Sequence, residues 1–370
     1  MNVRGLVRRI LFALSLAALL TGAWGCGSDE YAPDPARYAP GDTAASSPAF
    51  QDLSDATVTA LGLTFSVEYD RDLDRVNVYA RVEDQNGTFI GTLNKYNFVV
   101  VLDPRTAPKT VDPEDQDLDT VTSQNRVVAL VIDSSGSMTA TTETGESRIQ
   151  VAREAAKLFV SLMNPGDQVA IVDFDDDARV VQQLTDDQSA LNEAIEKFTA
   201  DGATNLGAAL TEAVKAVGTR PGKRAVVLLT DGDDTVDSVL GGPDVWLNDP
   251  TSTRYQGLNL AKENDLVVFT VGLGSELSDI GLADLQTFAE QTGGQFFQAP
   301  TASDLLTAFG QTIPDQVAAL PPLETYLLTF PNPIPPVAGK DVDVRVRVGV
   351  TYRNANGLLT DKFEAAYTVK

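Results

Sequence analysis

Three strongly apolar runs in the middle of the chain most constrain its fold. They read "RVVALVID", "RAVVLLTD" and "LVVFTVGLG", beginning at Arg126, Arg224 and Leu266. Between them the pattern changes to apolar residues every three or four positions, as in "RIQVAREAAKLFVSLM", which is typical of an amphipathic helix. Strands that are apolar on both faces and separated by helices favour a mostly parallel sheet covered by helices on each side. The sequence therefore predicts a doubly wound, Rossmann-like α/β domain over residues 124–316.

The segments on either side of this domain alternate apolar and polar residues, which predicts β strands. The pattern is clear in "RVNVYARVED" near the N-terminus and in "DVDVRVRVGVTY" near the C-terminus. Neither segment has enough strands for a sheet that is stable alone. We therefore expect residues 53–123 and 317–370 to pack together as one β-sandwich-like domain, with the α/β domain inserted between them. The acidic stretch "DPEDQDLDT" lacks the glycine and terminal glutamate of a calcium loop and predicts a solvated loop.

Composition excludes several classes of function. The chain carries 52 acidic and 28 basic residues, a formal charge of −24, which argues against nucleic-acid binding by phosphate neutralisation. It has no histidine, so Ser-His-Asp and Cys-His catalysis and imidazole metal sites are excluded. The single cysteine, Cys26, leaves no partner for an internal disulfide.

The first 52 residues predict export and anchoring. A basic start, an apolar stretch from Ile10 to Leu20 and small residues before Cys26 are typical of a signal peptide over residues 1–25. Eleven apolar residues are too few to span a ~30 Å hydrocarbon core as a stable helix. The sequence "AWGC" resembles the lipobox of bacterial lipoproteins, which implies lipidation of Cys26. The next residue is Gly27 rather than an aspartate, which implies an outer-membrane location. The Pro-, Ser- and Asp-containing residues 26–52 predict a flexible tether.

Oxygen-bearing side chains follow two of the apolar runs. Asp133, Ser135 and Ser137 follow the first, Asp231 follows "RAVVLLT", and Thr204 precedes a predicted helix between them. Parallel strands end at the same edge of a sheet, so we expect the groups to meet there. Two carboxylates and three hydroxyls favour a small hard cation, Mg²⁺ or Mn²⁺. If the serine-rich stretch is considered without Thr204 and Asp231, the alternative is that its side chains only cap an ordinary turn between a strand and a helix.

This pattern, D-x-S-x-S followed by a threonine and then an aspartate, resembles the metal-ion-dependent adhesion site of the von Willebrand factor type A family. The resemblance extends through "NPGDQVAIVDF", "GATNLGAAL" and "LLTDGDDT". It implies that Ser135 and Ser137 ligate the metal directly, that Thr204 does so when ligand is bound, and that Asp133 and Asp231 bind directly or through water. It also implies that a partner protein completes the metal sphere with a carboxylate.

Other acids near these motifs have less specific interpretations. The run "DFDDDAR" (residues 173–179) is typical of a solvated loop, with a position near the metal as the alternative. Asp233 and Asp234 are expected to cap the following turn.

The leading hypothesis is a lipid-anchored, non-enzymatic module that captures a protein ligand in a metal-dependent way at the cell envelope. The alternatives are an assembly scaffold for an envelope or secretion complex and, with less support, a metal-assisted hydrolase.

Overall fold

The structure is a computed structural model that divides into two compact units, described separately below. One unit runs from Thr122 to Leu323, and the other combines the segments before and after it. The predicted signal peptide, Cys26 and the tether lie outside the described residues. Within those residues, none of the helices combines the length and apolar character needed to cross a membrane. The structure describes residues 58–103, 108–275, 277–334, 342–354 and 357–369.

The unit that combines the segments before and after Thr122–Leu323 is called the β unit here, and its N-terminal segment supplies five strands. β1 and β2 form an antiparallel hairpin, and alternate residues of β2 are buried because successive side chains of a strand point to opposite faces. The strands are β1 (Leu61–Asp70), β2 (Arg75–Asp84), β3 (Phe98–Asp103), β4 (Lys109–Thr110) and β5 (Asp117–Thr122).

The second unit, which we call the α/β unit, alternates strands and helices along the chain. Its strands are β6 (Arg126–Asp133), β7 (Gln168–Phe174), β8 (Ala178–Thr185), β9 (Lys223–Thr230), β10 (Val267–Leu273) and β11 (Phe296–Ala299). Its helices are α1 (Arg148–Ser161), α2 (Gln188–Glu196), α3 (Leu206–Val217), α4 (Pro243–Trp246), α5 (Thr253–Glu263), α6 (Asp279–Thr292), α7 (Ala302–Thr307) and α8 (Ile313–Ala319).

The six strands of the α/β unit form one sheet in the order β11-β10-β9-β6-β7-β8. All neighbouring pairs are parallel except β7 and β8, so an antiparallel strand closes one edge. Separate hydrophobic clusters cover the two faces, one including Leu130 and Phe159 and the other Val131 and Leu210. Every residue of β6 is buried, as expected for a central strand covered on both faces. The predicted doubly wound, mostly parallel fold is confirmed.

The C-terminal segment returns to the β unit with β12 (Glu324–Pro331), β13 (Val342–Asn354) and β14 (Gly357–Val369). The unit contains two four-stranded sheets, β1-β2-β12-β5 and β14-β13-β3-β4, so each sheet combines strands from both segments. One hydrophobic cluster contains residues of both sheets, including Val78, Tyr326, Val100 and Val346.

The structure differs from two expectations in detail. The α/β unit continues past residue 316 to Leu323, and within this extension Val317 of α8 is buried in the core and Leu320 packs against it. Part of the predicted acidic loop is strand β5, where Asp117 forms an ion pair with Arg75 at 3.1 Å.

Candidate metal centre

The candidate site lies where the order of the central sheet reverses. The chain runs from β6 to β7 on one side, and β9 later pairs with β6 on the other side. Ligands of open α/β sheets bind at the carboxyl ends of strands beside such a switch point. Asp133 is the last residue of β6, and Asp231 directly follows β9. The topology therefore brings these two carboxylates to the same edge.

Asp133 is completely buried and holds the turn that follows β6. Its Oδ1 accepts a hydrogen bond from the main-chain amide of Ser135 at 2.7 Å, and its Oδ2 accepts one from the hydroxyl of Thr230 at 2.5 Å. Burial raises the pKa of Asp133 to about 6, although the hydrogen bonds from Ser135 and Thr230 act in the opposite direction. The carboxylate thus ties the serine turn to the end of β9.

The hydroxyls of the serine turn connect Asp133 to Asp231. Ser135 Oγ lies 3.0 Å from Ser137 Oγ, and Ser137 donates a hydrogen bond to Asp231 Oδ1 at 2.6 Å. The two serine hydroxyls and the Asp231 carboxylate therefore form a continuous row of hydrogen-bonded oxygens at the sheet edge. Oxygen donors of this kind suit hard divalent cations.

The loop that carries Thr204 is fastened to the serine turn by main-chain hydrogen bonds. The amide of Gly136 donates to the carbonyl of Gly202 at 3.0 Å, and the amide of Asp201 donates to the carbonyl of Ser134 at 2.8 Å. Gly202 has φ of +80°, a conformation that glycine adopts without strain. These contacts fix the loop before α3 against the end of β6.

Gly232 lies beside the hydroxyls of both Thr204 and Ser137. A β-carbon on Gly232 would lie 3.6 Å from Ser137 Oγ and 3.7 Å from Thr204 Oγ1. Thr204 is nearly buried, at 4% exposure. All five residues predicted as metal ligands therefore lie along one short stretch of the sheet edge.

Asp234 supports the Thr204 loop rather than facing the candidate site. Its Oδ2 accepts a hydrogen bond from the amide of Leu206 at 2.8 Å, at the start of α3. Its Oδ1 accepts from the amides of Val236 and Asp237 at 3.0 and 2.8 Å. The predicted capping role of Asp234 is confirmed and extends to α3. Asp233 accepts a longer hydrogen bond, 3.3 Å, from the amide of Ser278.

The acidic run of residues 173–179 contains one acid that supports the site. Asp176 Oδ1 accepts a hydrogen bond from the amide of Ala203 at 2.9 Å, which braces the loop before α3. Arg179 forms ion pairs with Asp173 and Asp175 at 2.6 and 2.8 Å. The interpretation as a simple solvated loop is therefore incomplete, and the spacing of the acids gave no signal that would have distinguished Asp176.

Sequence reasoning missed Arg148, the first residue of α1. Its Nη1 lies 2.8 Å from Asp231 Oδ2, and the Asp231 side chain is completely inaccessible to solvent. Asp231 therefore has one oxygen bound by Ser137 and the other by Arg148. A single arginine at the start of a helix gives no sequence signal for this contact.

Within the part of the chain that the structure describes, Asp133 is the one buried aspartate that forms no ion pair with an arginine or lysine. Among the side chains that the structure describes, each of the others lies within 3.0 Å of an arginine nitrogen. Those aspartates are Asp167, Asp173, Asp231, Asp237 and Asp284. A buried carboxylate is costly unless a positive charge compensates it. A metal ion among Ser135, Ser137 and Asp231 would supply that charge, so the residues present fit a bound divalent cation.

Several known proteins are similar to parts of this chain. A UPF0353 protein of Mycolicibacterium vanbaalenii is 29% identical over 203 residues, which cover 50% of this chain and 58% of the relative. The chain thus spans less than two thirds of the length of that curated relative. A von Willebrand factor type A structure from Catenulispora acidiphila is 16% identical with a TM-score of 0.43, covering 85% of this chain and 74% of that one.

A further solved structure is proximal thread matrix protein 1 from the mussel byssus, described with a zinc occupied MIDAS motif. It is 22% identical, with a TM-score of 0.42, and the match covers 56% of this chain and 50% of that one. Residues 128–233 match the family model of the von Willebrand factor type A domain, and this range includes all five candidate ligands. The α/β unit of this chain is therefore similar to von Willebrand factor type A domains over residues 128–233.

Proposed function

We propose that the α/β unit binds Mg²⁺ or Mn²⁺ and uses the ion to hold a carboxylate of a protein partner. The residues that would hold the ion are Asp133, Ser135, Ser137, Thr204 and Asp231. The observation that carries the proposal is the position of Asp133, a completely buried carboxylate that has no ion-pair partner among the described residues. It lies beside a row of oxygens spaced 3.0 and 2.6 Å apart.

The donor set also explains why the ion would need a partner. Three of the five donors are neutral hydroxyls, and Arg148 already offsets the charge of Asp231. The positive charge of a divalent ion would therefore be only partly cancelled by the protein, which favours binding of an external anion. The von Willebrand factor type A domain is typically a protein-interaction module, which supports a protein carboxylate as that anion.

We further propose that Cys26 carries a lipid and anchors the chain to the bacterial outer membrane. The export signal and the "AWGC" motif support this proposal. Two or three acyl chains contribute about 0.8 kcal/mol per buried CH₂ group, which is sufficient for stable anchoring. The tether of residues 26–52 would hold the folded units away from the membrane.

Calorimetric titration of the purified chain with MnCl₂ tests the metal site. Wild-type protein is expected to bind one ion, and Ser137→Ala is expected to abolish binding because it removes the hydroxyl between Ser135 and Asp231. Ser189→Ala is the matched control, since Ser189 is exposed in the first turn of α2. Unchanged binding in Ser137→Ala would contradict the site.

Crosslinking and pull-down from envelope fractions, with and without EDTA, test the use of the ion. A partner that is retained in Mg²⁺, released by EDTA and lost in Ser137→Ala supports metal-dependent capture. Retention of the same partner in EDTA would contradict it and favour the assembly role, in which the metal only stabilises the fold.

A further inference from the structure

Arg148 occupies an unusual position for a cation. It is the first residue of α1, where the helix macrodipole is positive and a positive side chain is unfavourable. Its side chain is only 11% exposed, and its guanidinium lies 2.8 Å from the inaccessible carboxylate of Asp231. Attraction to Asp231 therefore accounts for the position of Arg148 better than the electrostatics of its own helix.

The surrounding backbone leaves room for the guanidinium. Gly274, directly after β10, has φ of +88°, and a β-carbon there would lie 3.1 Å from Arg148 Nη2. The main-chain amide of Arg148 donates to the carbonyl of Ala140 at 2.8 Å, which fixes the start of α1 to the turn after β6. The lack of a side chain at Gly274 therefore leaves space for the guanidinium, and the hydrogen bond to Ala140 positions the residue that carries it.

Arg148 and a metal ion in the candidate site would both interact with the carboxylate of Asp231. Arg148 binds Oδ2, while Ser137 binds Oδ1, the oxygen on the side of the candidate site. A guanidinium that neutralises a carboxylate reduces the attraction of that carboxylate for a second cation. We infer that Arg148 is a resident counter-cation that stabilises the metal-free site and weakens metal binding by competing for the charge of Asp231.

This inference rests on the proposed metal site and predicts opposite changes in two quantities. Arg148→Gln is expected to unfold at a lower temperature without metal, because it leaves Asp231 buried without its cation. The same variant is expected to bind Mn²⁺ about tenfold more tightly than wild type, since the metal then provides the missing positive charge. A residue with only a structural role would lower stability without strengthening metal binding.

Arg126→Gln is the matched control. Arg126 forms an equally buried ion pair with Asp167, at 2.6 Å, but it lies at the start of β6 rather than at its carboxyl end. It is expected to lower the melting temperature and leave the dissociation constant for Mn²⁺ unchanged. Calorimetry with MnCl₂ and thermal denaturation in EDTA measure the two quantities on the same samples.

The outcomes separate this inference from the proposed function. Mn²⁺ binding in wild type with equal or weaker binding in Arg148→Gln would overturn the inference and leave the metal site intact. Failure of both proteins to bind Mn²⁺ would overturn both proposals. If Arg148→Gln does not fold, the same two quantities are measured on Arg148→Lys. Lysine keeps the charge and loses the planar fork, so Mn²⁺ binding that is tighter than in wild type by less than tenfold supports competition. Unchanged or weaker Mn²⁺ binding in Arg148→Lys contradicts it.

Discussion

The β unit and the α/β unit bury different kinds of polar side chain. Among the side chains that the structure describes, the buried polar residues of the β unit are uncharged, namely Asn97, Gln116 and Thr325. The α/β unit also buries charged residues, which are Arg126, Asp133, Arg148, Asp167, Asp173, Arg224, Asp231, Asp237, Arg254 and Asp284. Both units have well-formed apolar cores, so the difference concerns charge rather than packing.

This difference indicates which unit can contain a charged binding site. Burying a charge has a large desolvation cost, and a sheet can be stable without any buried charge. In the α/β unit, ion pairs offset most of that cost, as between Arg126 and Asp167. Among the buried aspartates that the structure describes, Asp133 is the exception, and it lies at the switch point of the sheet. We therefore expect charge perturbations to affect the α/β unit much more strongly than the β unit.

The largest effect is expected from Arg254→Met in the α/β unit. Arg254 lies 3.0 Å from Asp237 and 2.5 Å from Asp284, and both carboxylates are inaccessible or nearly so. Removing one member of a buried ion pair costs roughly 3–5 kcal/mol. Urea denaturation followed by Trp246 fluorescence measures the loss, since Trp246 donates to Asp284 at 2.7 Å and lies against Arg254.

Arg75→Met in the β unit is the matched control for that experiment. Arg75 and Asp117 form an ion pair whose side chains are 38% and 76% exposed. Exposed pairs contribute about 0–1 kcal/mol, so the variant is expected to denature almost as wild type does. Circular dichroism follows both variants here, because Trp246 reports on the α/β unit. Comparable losses in the two variants would contradict the difference between the units.

An intermediate effect is expected in the β unit at alkaline pH. Tyr326 is buried, donates a hydrogen bond to the carbonyl of Ile90 at 2.5 Å and accepts one from the amide of Leu93 at 2.8 Å. Burial raises the pKa of Tyr326 to about 12, although the hydrogen bond from Leu93 acts against it. Because the folded state favours the neutral phenol, stability is retained below pH 10 and decreases between pH 10 and pH 12.

Tyr326→Phe isolates this pH dependence. The variant lacks the titrating group, so the free energy of unfolding should fall less steeply than in wild type, by up to about 1.4 kcal/mol per pH unit across that interval. It should also be less stable at neutral pH by about 1–3 kcal/mol, since two main-chain groups lose a buried partner. Parallel curves for the two proteins between pH 10 and pH 12 would show that Tyr326 is not the group responsible.

The smallest effect is expected from Asp234→Ala. The variant removes the acceptor for three main-chain amides, one of them at the start of α3, and a lost cap costs about 0.5–2 kcal/mol. Asp112→Ala in the β unit removes a cap that accepts only from the amide of Glu114 and should cost less. Thermal denaturation of both variants ranks them, and the reverse order would weaken the comparison.

The sequence was a good guide to the α/β fold because its strongest signals are local. The run "RVVALVID" became β6, in which every residue is buried, and the helical pattern after it became α1. Strand β8 was not predicted, because "ARVVQQLT" mixes polar and apolar residues at an exposed antiparallel edge. The end of the unit was placed too early because only packing shows that Val317 of α8 belongs to the α/β core.

The candidate site was predictable only in part, for a similar reason. The five oxygen donors could be found because each follows a strand or precedes a helix in a recognisable pattern. The roles of Arg148 and Asp176 depend on contacts across 83 and 27 positions in the chain. No spacing rule connects residues that far apart, so these contacts required the tertiary structure.

The most direct test of the central claim is urea denaturation followed by Trp246 fluorescence, with Mg²⁺ or with EDTA. Trp246 is buried in the core of the α/β unit and reports on its unfolding. If Mg²⁺ binds only the folded site, an ion concentration 100 times the dissociation constant stabilises the unit by about 2.7 kcal/mol. We expect this stabilisation in wild type and in Ser189→Ala, and we expect it to be lost in Ser137→Ala. The same stabilisation in Ser137→Ala, or none in wild type, would contradict it.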